Sequence, residues 1–477
     1  MDVLTEQELR VEVSQATSRL PLYACAAVYA LVVCAAVIRH EPWADEAQSW
    51  LLARDASLFD LWTRLLHYEG TTGLWQTLLH GLIPLGLPYA GISVLTALSG
   101  IAATVVVLRY APFPMAMRIA LPFTFFLCYQ YAVIARSYSL LPLLLFGCAA
   151  IYPRAAERPA LFTVLLCLMA AVSVHGMALA VAVGASALVS RQDRRRLVVP
   201  AVCFAAVAAL LAASARPAHD ATFIAGLNFS FGHFVDVSSK ALENAFTGEA
   251  VTSLVLLGLS APLLWCGGGW RFFLVASLML CGIGSIVYSQ VWHHGMWFLA
   301  WVFALWTSWP VSRGRSDMAT RAAIAALSII MAIQGYWTIC SIGYDWRQPY
   351  SGSVTAAQGL RELDLAGKKL YAIGFANTAI QPYFPHNIFA NINEGRPEAY
   401  WDWSRRNHVN EDSLRLAESR PDYVMIGYKN EFERGVWTDL VRKSGYRAVR
   451  HFEGNTYWQT QVLEPESYDL YERGSAR

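Results

Sequence analysis

Charge is scarce in this chain. Only 15% of its 477 residues are Asp, Glu, Lys or Arg, against 56% hydrophobic, and that balance excludes an ordinary soluble globular protein. Cysteine is absent after residue 340. The nine Cys (25, 34, 128, 148, 167, 203, 266, 281, 340) lie in or beside apolar runs, and none forms a CxxC pair. This excludes a disulfide framework and a thiolate metal site. No basic stripe supports nucleic-acid binding. GxGxxG, P-loop, GxSxG and HExxH patterns are missing, which removes the usual grounds for a nucleotide enzyme, a serine hydrolase or a zinc protease. The chain carries no internal repeat and no low-complexity tract. The first apolar run, Pro21–Ile38, has no clear signal-peptidase site, so it is expected to stay as an anchor behind a cytoplasmic segment 1–19.

What is present is a succession of apolar runs with charged punctuation. A spanning helix needs about 17–25 apolar residues. Spans are expected near 20–39, 91–108, 117–134, 138–152, 159–174, 176–190, 197–214, 250–266, 270–289, 294–310 and 319–341, about eleven in all. The basic residues orient them. With the N-terminus inside, inner segments hold fourteen: Arg10, Arg19, Arg109, Arg118, Arg154, Arg158, Arg191, Arg194, Arg195, Arg196, Arg271, Arg313, Arg315 and Arg321. The outer segments before residue 345 hold six: Arg39, Arg54, Arg64, Arg136, Arg216 and Lys240. The expected fold is therefore a polytopic α-helical membrane domain over 20–344 with an outward-facing soluble α/β domain over 345–477. In the first outer loop, 41–90, Leu pairs recur at helical spacing between Arg54, Asp55, Asp60 and Arg64, which predicts interfacial amphipathic helices. Leu74–Leu87, broken by Pro84 and Gly86, reads as interfacial or re-entrant. In the outer domain, strands are expected at Lys369–Phe375, Asp422–Gly427, Arg447–Phe452 and Tyr457–Leu463, and helices at Val354–Leu363, Glu411–Ser419 and Phe432–Ser444.

Ionisable groups on the outer face are the candidates for chemistry. Asp45 and Glu46 follow the first span and are flanked by Trp43 and Trp50, at headgroup depth. An idle charge has little reason to sit there, although solvated loop carboxylates are the alternative. Tyr129-Gln-Tyr131-Ala-Val-Ile-Ala-Arg136-Ser137-Tyr138 is a polar, aromatic hinge. Arg136 there either forks onto a phosphate or snorkels to lipid headgroups. His293 and His294 stand at a helix mouth, where they donate to a phosphate, steer a sugar or satisfy the backbone. Their adjacency argues against a zinc site. His67, Glu69, His175 and Lys240 complete the set.

Trp43-Ala-Asp45-Glu46-Ala in a first outer loop and Ala135-Arg136-Ser-Tyr138 in the second resemble the membrane glycosyltransferases of the GT-C fold. The resemblance is in particular to bacterial relatives of the protein O-mannosyltransferases and of the lipid A aminoarabinose transferases, which implies a bacterial inner membrane. The likeness covers about residues 20–340. It implies a sugar carried on a polyprenyl phosphate, moved with inversion to an extracytoplasmic lipid, glycan or protein. Asp45 would be the general base with Glu46 in support, and Arg136, with His293 or His294, would hold the phosphate. His67, Glu69, Tyr138, His175 and Lys240 would line the donor and acceptor pocket. No cofactor is required, and a divalent metal is compatible but unnecessary because arginine can stabilise the departing phosphate. One departure stands out. Where relatives carry a His-Pro pair after the interfacial helices, this chain has Glu69-Gly-Thr71-Thr72-Gly73. The rival expectations are a lipid or sugar-lipid transporter, which should show midplane charges and repeats, and a non-catalytic subunit of an envelope assembly.

Overall fold

The computed structural model describes residues 6–190, 195–222, 229–309, 318–363, 365, 367–405 and 415–474. Arg191, Arg194, Arg313 and Arg315, and the first four residues of the helix expected over Glu411–Ser419, lie outside them. The first fifteen helices are α1 (Glu6–Arg39), α2 (Ala44–Asp55), α3 (Leu58–Thr63), α4 (Leu74–Leu82), α5 (Gly91–Tyr110), α6 (Met115–Ala120), α7 (Leu141–Ile151), α8 (Pro159–Val172), α9 (Val174–Ser190), α10 (Arg195–Ser214), α11 (Phe231–Leu242), α12 (Ala250–Gly267), α13 (Gly269–Ile286), α14 (Gly295–Ser308) and α15 (Met318–Asp345). Six of these segments are long and apolar enough to cross a membrane: Leu20–Arg39 of α1, α5, α10, α12, α13 and α15. α8 and α9 are apolar but shorter. α14 has only 14 residues and buries all but Thr307, so it forms the centre of the helical core.

The helix expected over 117–134 is broken. α6 stops at Ala120, a 3-10 turn carries Pro122, Thr124 is extended, and a single π turn covers Phe126–Gln130. Proline removes a backbone donor, and irregular backbone at membrane depth survives only when protein surrounds it. Here residues 124–135 are all buried. Leu74–Leu87 forms α4 and one 3-10 turn that ends on Gly86 in the left-handed region. At nine residues α4 spans about 14 Å, well short of a bilayer core. It packs on α2, with the His80 ring bonded to Ala53 O.

The C-terminal region has a four-stranded sheet in the order β1 (Leu370–Ile373), β2 (Tyr423–Tyr428), β6 (Ser467–Arg473), β3 (Tyr446–Phe452). β1 and β2 are parallel, and the other pairs are antiparallel. Helices α16 (Ser353–Glu362), α17 (Leu416–Ser419) and α18 (Glu431–Lys443) accompany it. The strand expected over Tyr457–Leu463 is instead a hairpin, β4 (Asn455–Trp458) and β5 (Gln461–Pro465), turning at Gln459 with φ 58°. Its tip leaves the sheet and docks on the membrane helices. Trp458 meets Phe125 edge-on at 5.0 Å and donates to Asn244 at 3.1 Å, while Tyr457 stacks on Tyr344 at 4.3 Å. β6 was not anticipated, because its charges mask a central strand. They are matched by neighbours: Asp469 by Arg434 and His451, Glu472 by Arg447.

Candidate functional site

α2 carries Asp45 in its first turn, and two carboxyls from different parts of the chain fix that turn. Glu46 Oε2 accepts the Trp43 N–H at 3.1 Å, the carboxylate half of a capping box. Glu466, from the link between β5 and β6, accepts the Ala44 N–H at 2.9 Å. Both satisfy donors that a helix start leaves open. Glu46 reaches further. Its Oε1 accepts the Ala135 N–H at 2.5 Å and its Oε2 meets His40 Nε2 at 3.0 Å. The other His40 nitrogen faces Asp345 at 3.1 Å, and Tyr129 donates to the same carboxylate. Burial disfavours the His40 imidazolium, but Glu46 and Asp345 outweigh it and push its pKa up to about 10. This buried network joins the end of α1, the start of α2, the 126–136 turn and the end of α15.

Holding Trp43 and Ala135 on one carboxylate brings their neighbours together. Asp45 Oδ2 and Arg136 Nη1 form an ion pair at 2.5 Å, each side chain 19% exposed. The guanidinium is enclosed by the rings of Tyr138, Trp292 and Trp43 at 4.9, 5.6 and 5.7 Å. The pair lies on a cavity of about 280 Å³, lined also by Gln48, His67, Tyr68, Glu69, Gln76, Tyr138, His175, Tyr288, Trp292, His293, Phe375, Trp403 and Lys429.

Seven expected site residues therefore share one cavity: Asp45, His67, Glu69, Arg136, Tyr138, His175 and His293. Three do not line it. Successive helical residues diverge by about 100°, so Glu46 points away from Asp45 into the His40 network. That replaces the expected part of Glu46 in the chemistry with one in the backbone. His294 faces Ser289 at 3.3 Å and the Trp297 ring. Lys240 lies on α11, more than half exposed and paired with Asp236.

Glu69 accepts a bond from Gln48 Nε2 at 2.7 Å. Gln48 is itself clamped to the C-terminal region, donating to Trp401 O and accepting the Trp401 N–H, each at 2.8 Å. Burial, helped by Asp45, pushes the Glu69 carboxyl up to about 8, against the pull of Gln48 and Arg136, so it is neutral at pH 7. His293 stacks on His175 at 4.3 Å. Burial, His175 and Arg136 hold His293 well below the usual imidazole range, so it serves as a neutral donor or acceptor. The Tyr138 hydroxyl and Gln76 Oε1 are buried without a hydrogen-bond partner among the described residues. Lys429, Phe375 and Trp403 were not foreseen. They lie far along the chain, and an isolated Lys after an apolar strand gives no signal without the fold. Among the described residues no group of three His, Cys, Asp or Glu side chains is placed to hold a metal ion.

A second, open groove of about 480 Å³ crosses the C-terminal region between α18 and β3, but its charges are largely engaged with one another, as in Arg434–Asp469 and His451–Asp469. Comparison with family models, curated proteins and solved structures returns no match.

Proposed function

We propose that this protein is an integral-membrane, inverting glycosyltransferase of the GT-C type, moving a sugar from a polyprenyl phosphate to an extracytoplasmic lipid, glycan or protein. The observation that carries the proposal is the Asp45–Arg136 pair on one enclosed wall. A lipid phosphate entering the cavity offers Arg136 a better acceptor than Asp45, with two oxygens for the planar fork. Arg136 passes to the phosphate, and Asp45 is released to take the proton of the acceptor hydroxyl. The acceptor oxygen bonds to the anomeric carbon as the carbon–oxygen bond to the phosphate breaks. Its electron pair leaves with the polyprenyl phosphate, where Arg136 meets the developing charge. His175, His293 and Tyr138 are placed to bind sugar hydroxyls.

Sidedness supports the same view. The cavity walls come from 45–76, 136–138, 173–175, 215–217, 283–293 and the outer domain. These are the segments assigned outside by the basic residues, or the helix ends leading into them. This arrangement favours about eleven crossings with an inner N-terminus, four of the spans being shorter helices (α7, α8, α9 and α14) and one the broken 115–130 segment. A cavity at helix ends, under a folded domain, also suits an enzyme better than a transporter with a midplane site.

The test is single-turnover kinetics of purified protein in bilayer discs with synthetic polyprenyl-phosphate sugars and acceptor extract. Arg136→Lys keeps the charge and loses the fork, so turnover should fall more than donor affinity. Equal losses in both would make Arg136 a ground-state anchor. Uptake or flux without released polyprenyl phosphate would favour transport.

A further inference from the structure

Lys429 follows β2 directly, and Phe375 follows β1 after Gly374. Both stand at the carboxyl ends of the parallel pair, the edge where open α/β sheets place their ligands. Gly374 makes this possible, since its φ is 92° and a Cβ there would collide with Gly427 O. That edge faces the membrane domain. The Lys429 ammonium lies 5.1 Å from the Trp43 ring and 5.4 Å from the Phe375 ring, in the wall of the cavity that holds Asp45 and Arg136. Two cations from opposite ends of the chain thus flank one indole, beside one carboxylate.

We propose that Lys429 binds the phosphate of the lipid-linked ligand together with Arg136, so that the outer domain completes the binding site. This rests on the glycosyltransferase reading for the identity of the ligand, but the phosphate chemistry stands on its own. An ammonium has three donors. Glu464 engages Lys429 at 3.4 Å, longer than the roughly 2.7–2.9 Å of a well-formed charge-assisted bond. The remaining donors and the rings beside them leave Lys429 set for a multivalent anion. Burial opposes its charge, but Asp45, Glu464 and Glu466 keep the pKa raised, so the cation is retained. Arg136 and Lys429 lie 5.7 and 5.1 Å from the same Trp43 ring, and Asp45 and Glu464 each pair with only one of them, so a phosphate is the ligand that can draw on both.

The alternative is that Lys429 exists only to neutralise Glu464, and a paired substitution separates the two. The full chain, in phosphatidylcholine discs, is titrated with a synthetic polyprenyl phosphate and, separately, with inorganic phosphate as competitor. Lys429→Gln should weaken polyprenyl phosphate binding about tenfold to a hundredfold, the loss of one charge-assisted contact. Lys429→Arg should recover most of it. The pair Lys429→Gln with Glu464→Gln, which leaves no uncompensated carboxylate, should stay weak. Inorganic phosphate should displace the lipid from the wild type, and less readily from Lys429→Gln. Wild-type affinity in Lys429→Gln or in the paired variant would overturn the proposal, as would competition by inorganic phosphate that is indifferent to Lys429. The two readings fail separately. Lys429-dependent phosphate binding without sugar transfer would leave this site standing and remove the glycosyltransferase. Transfer with Lys429 dispensable would do the reverse.

Discussion

Glu46→Gln separates a residue that builds the site from one that works in it. The carboxylate accepts the Ala135 and Trp43 N–H groups on different oxygens and faces His40 from the second. Glutamine has the same shape but only one accepting end, so its amide group must point at a buried donor whichever way it turns. One unpaired buried donor costs about 1–3 kcal/mol. His40 also loses one of its two counter-charges, and breaking a buried ion pair costs about 3–5 kcal/mol. The two costs overlap, because the same carboxylate serves both, so the expected loss is about 3–5 kcal/mol of stability. The assay is unfolding of the purified protein in a denaturing-detergent titration, followed by tryptophan fluorescence, with donor turnover measured alongside. The variant should unfold early, and turnover per folded molecule should fall less than in Asp45→Asn. Wild-type stability with turnover abolished would refute the reasoning and return Glu46 to the chemistry.

Three further outcomes follow from the same geometry. Glu69, neutral below pH 8, gains a charge beside Asp45 above it, so donor affinity should decline as pH rises through about 8. Glu69→Gln should remove that decline, and an unchanged profile in the variant would exclude Glu69 as its source. Trp458→Ala deletes the indole that pins the hairpin to Phe125 and Asn244. A buried Trp→Ala change costs about 3–5 kcal/mol, so proteolysis should cut between α15 and the C-terminal region faster than in the wild type, and equal rates would show that other contacts hold that region. A phosphatase fused after residue 474 should be active only if that end is outside the membrane. Activity of a cytoplasmic reporter at the same junction would invert the topology.

Long apolar segments were legible because burial in lipid leaves a length signature, and Asp45 and Arg136 because charge near lipid is conspicuous. The ends of α16 and α18 followed from helical periodicity and lie within a residue or so of expectation. The 117–134 break was not legible. An apolar run with one proline reads as a span, and only the surrounding helices make the irregular backbone of 124–135 tolerable. Glu46 looked like half of a carboxylate pair because sequence adjacency conceals the turn of the helix. The Gln48–Trp401 clamp, the Glu466 cap on α2 and the place of Lys429 are contacts across more than 300 residues. They carry no local pattern, and the sequence of β6 hides its burial behind charges that distant partners neutralise.

The most direct test of the central claim is acceptor-dependent release of polyprenyl phosphate from a synthetic polyprenyl-phosphate sugar, measured in one turnover for the wild type and for Asp45→Asn in bilayer discs. A positioned base contributes about 10²–10⁴-fold, so the wild type should release the lipid phosphate only with acceptor present, and the variant should fold normally and be slower by that factor. Release that ignores Asp45, or no acceptor-dependent release from any donor, would contradict the account.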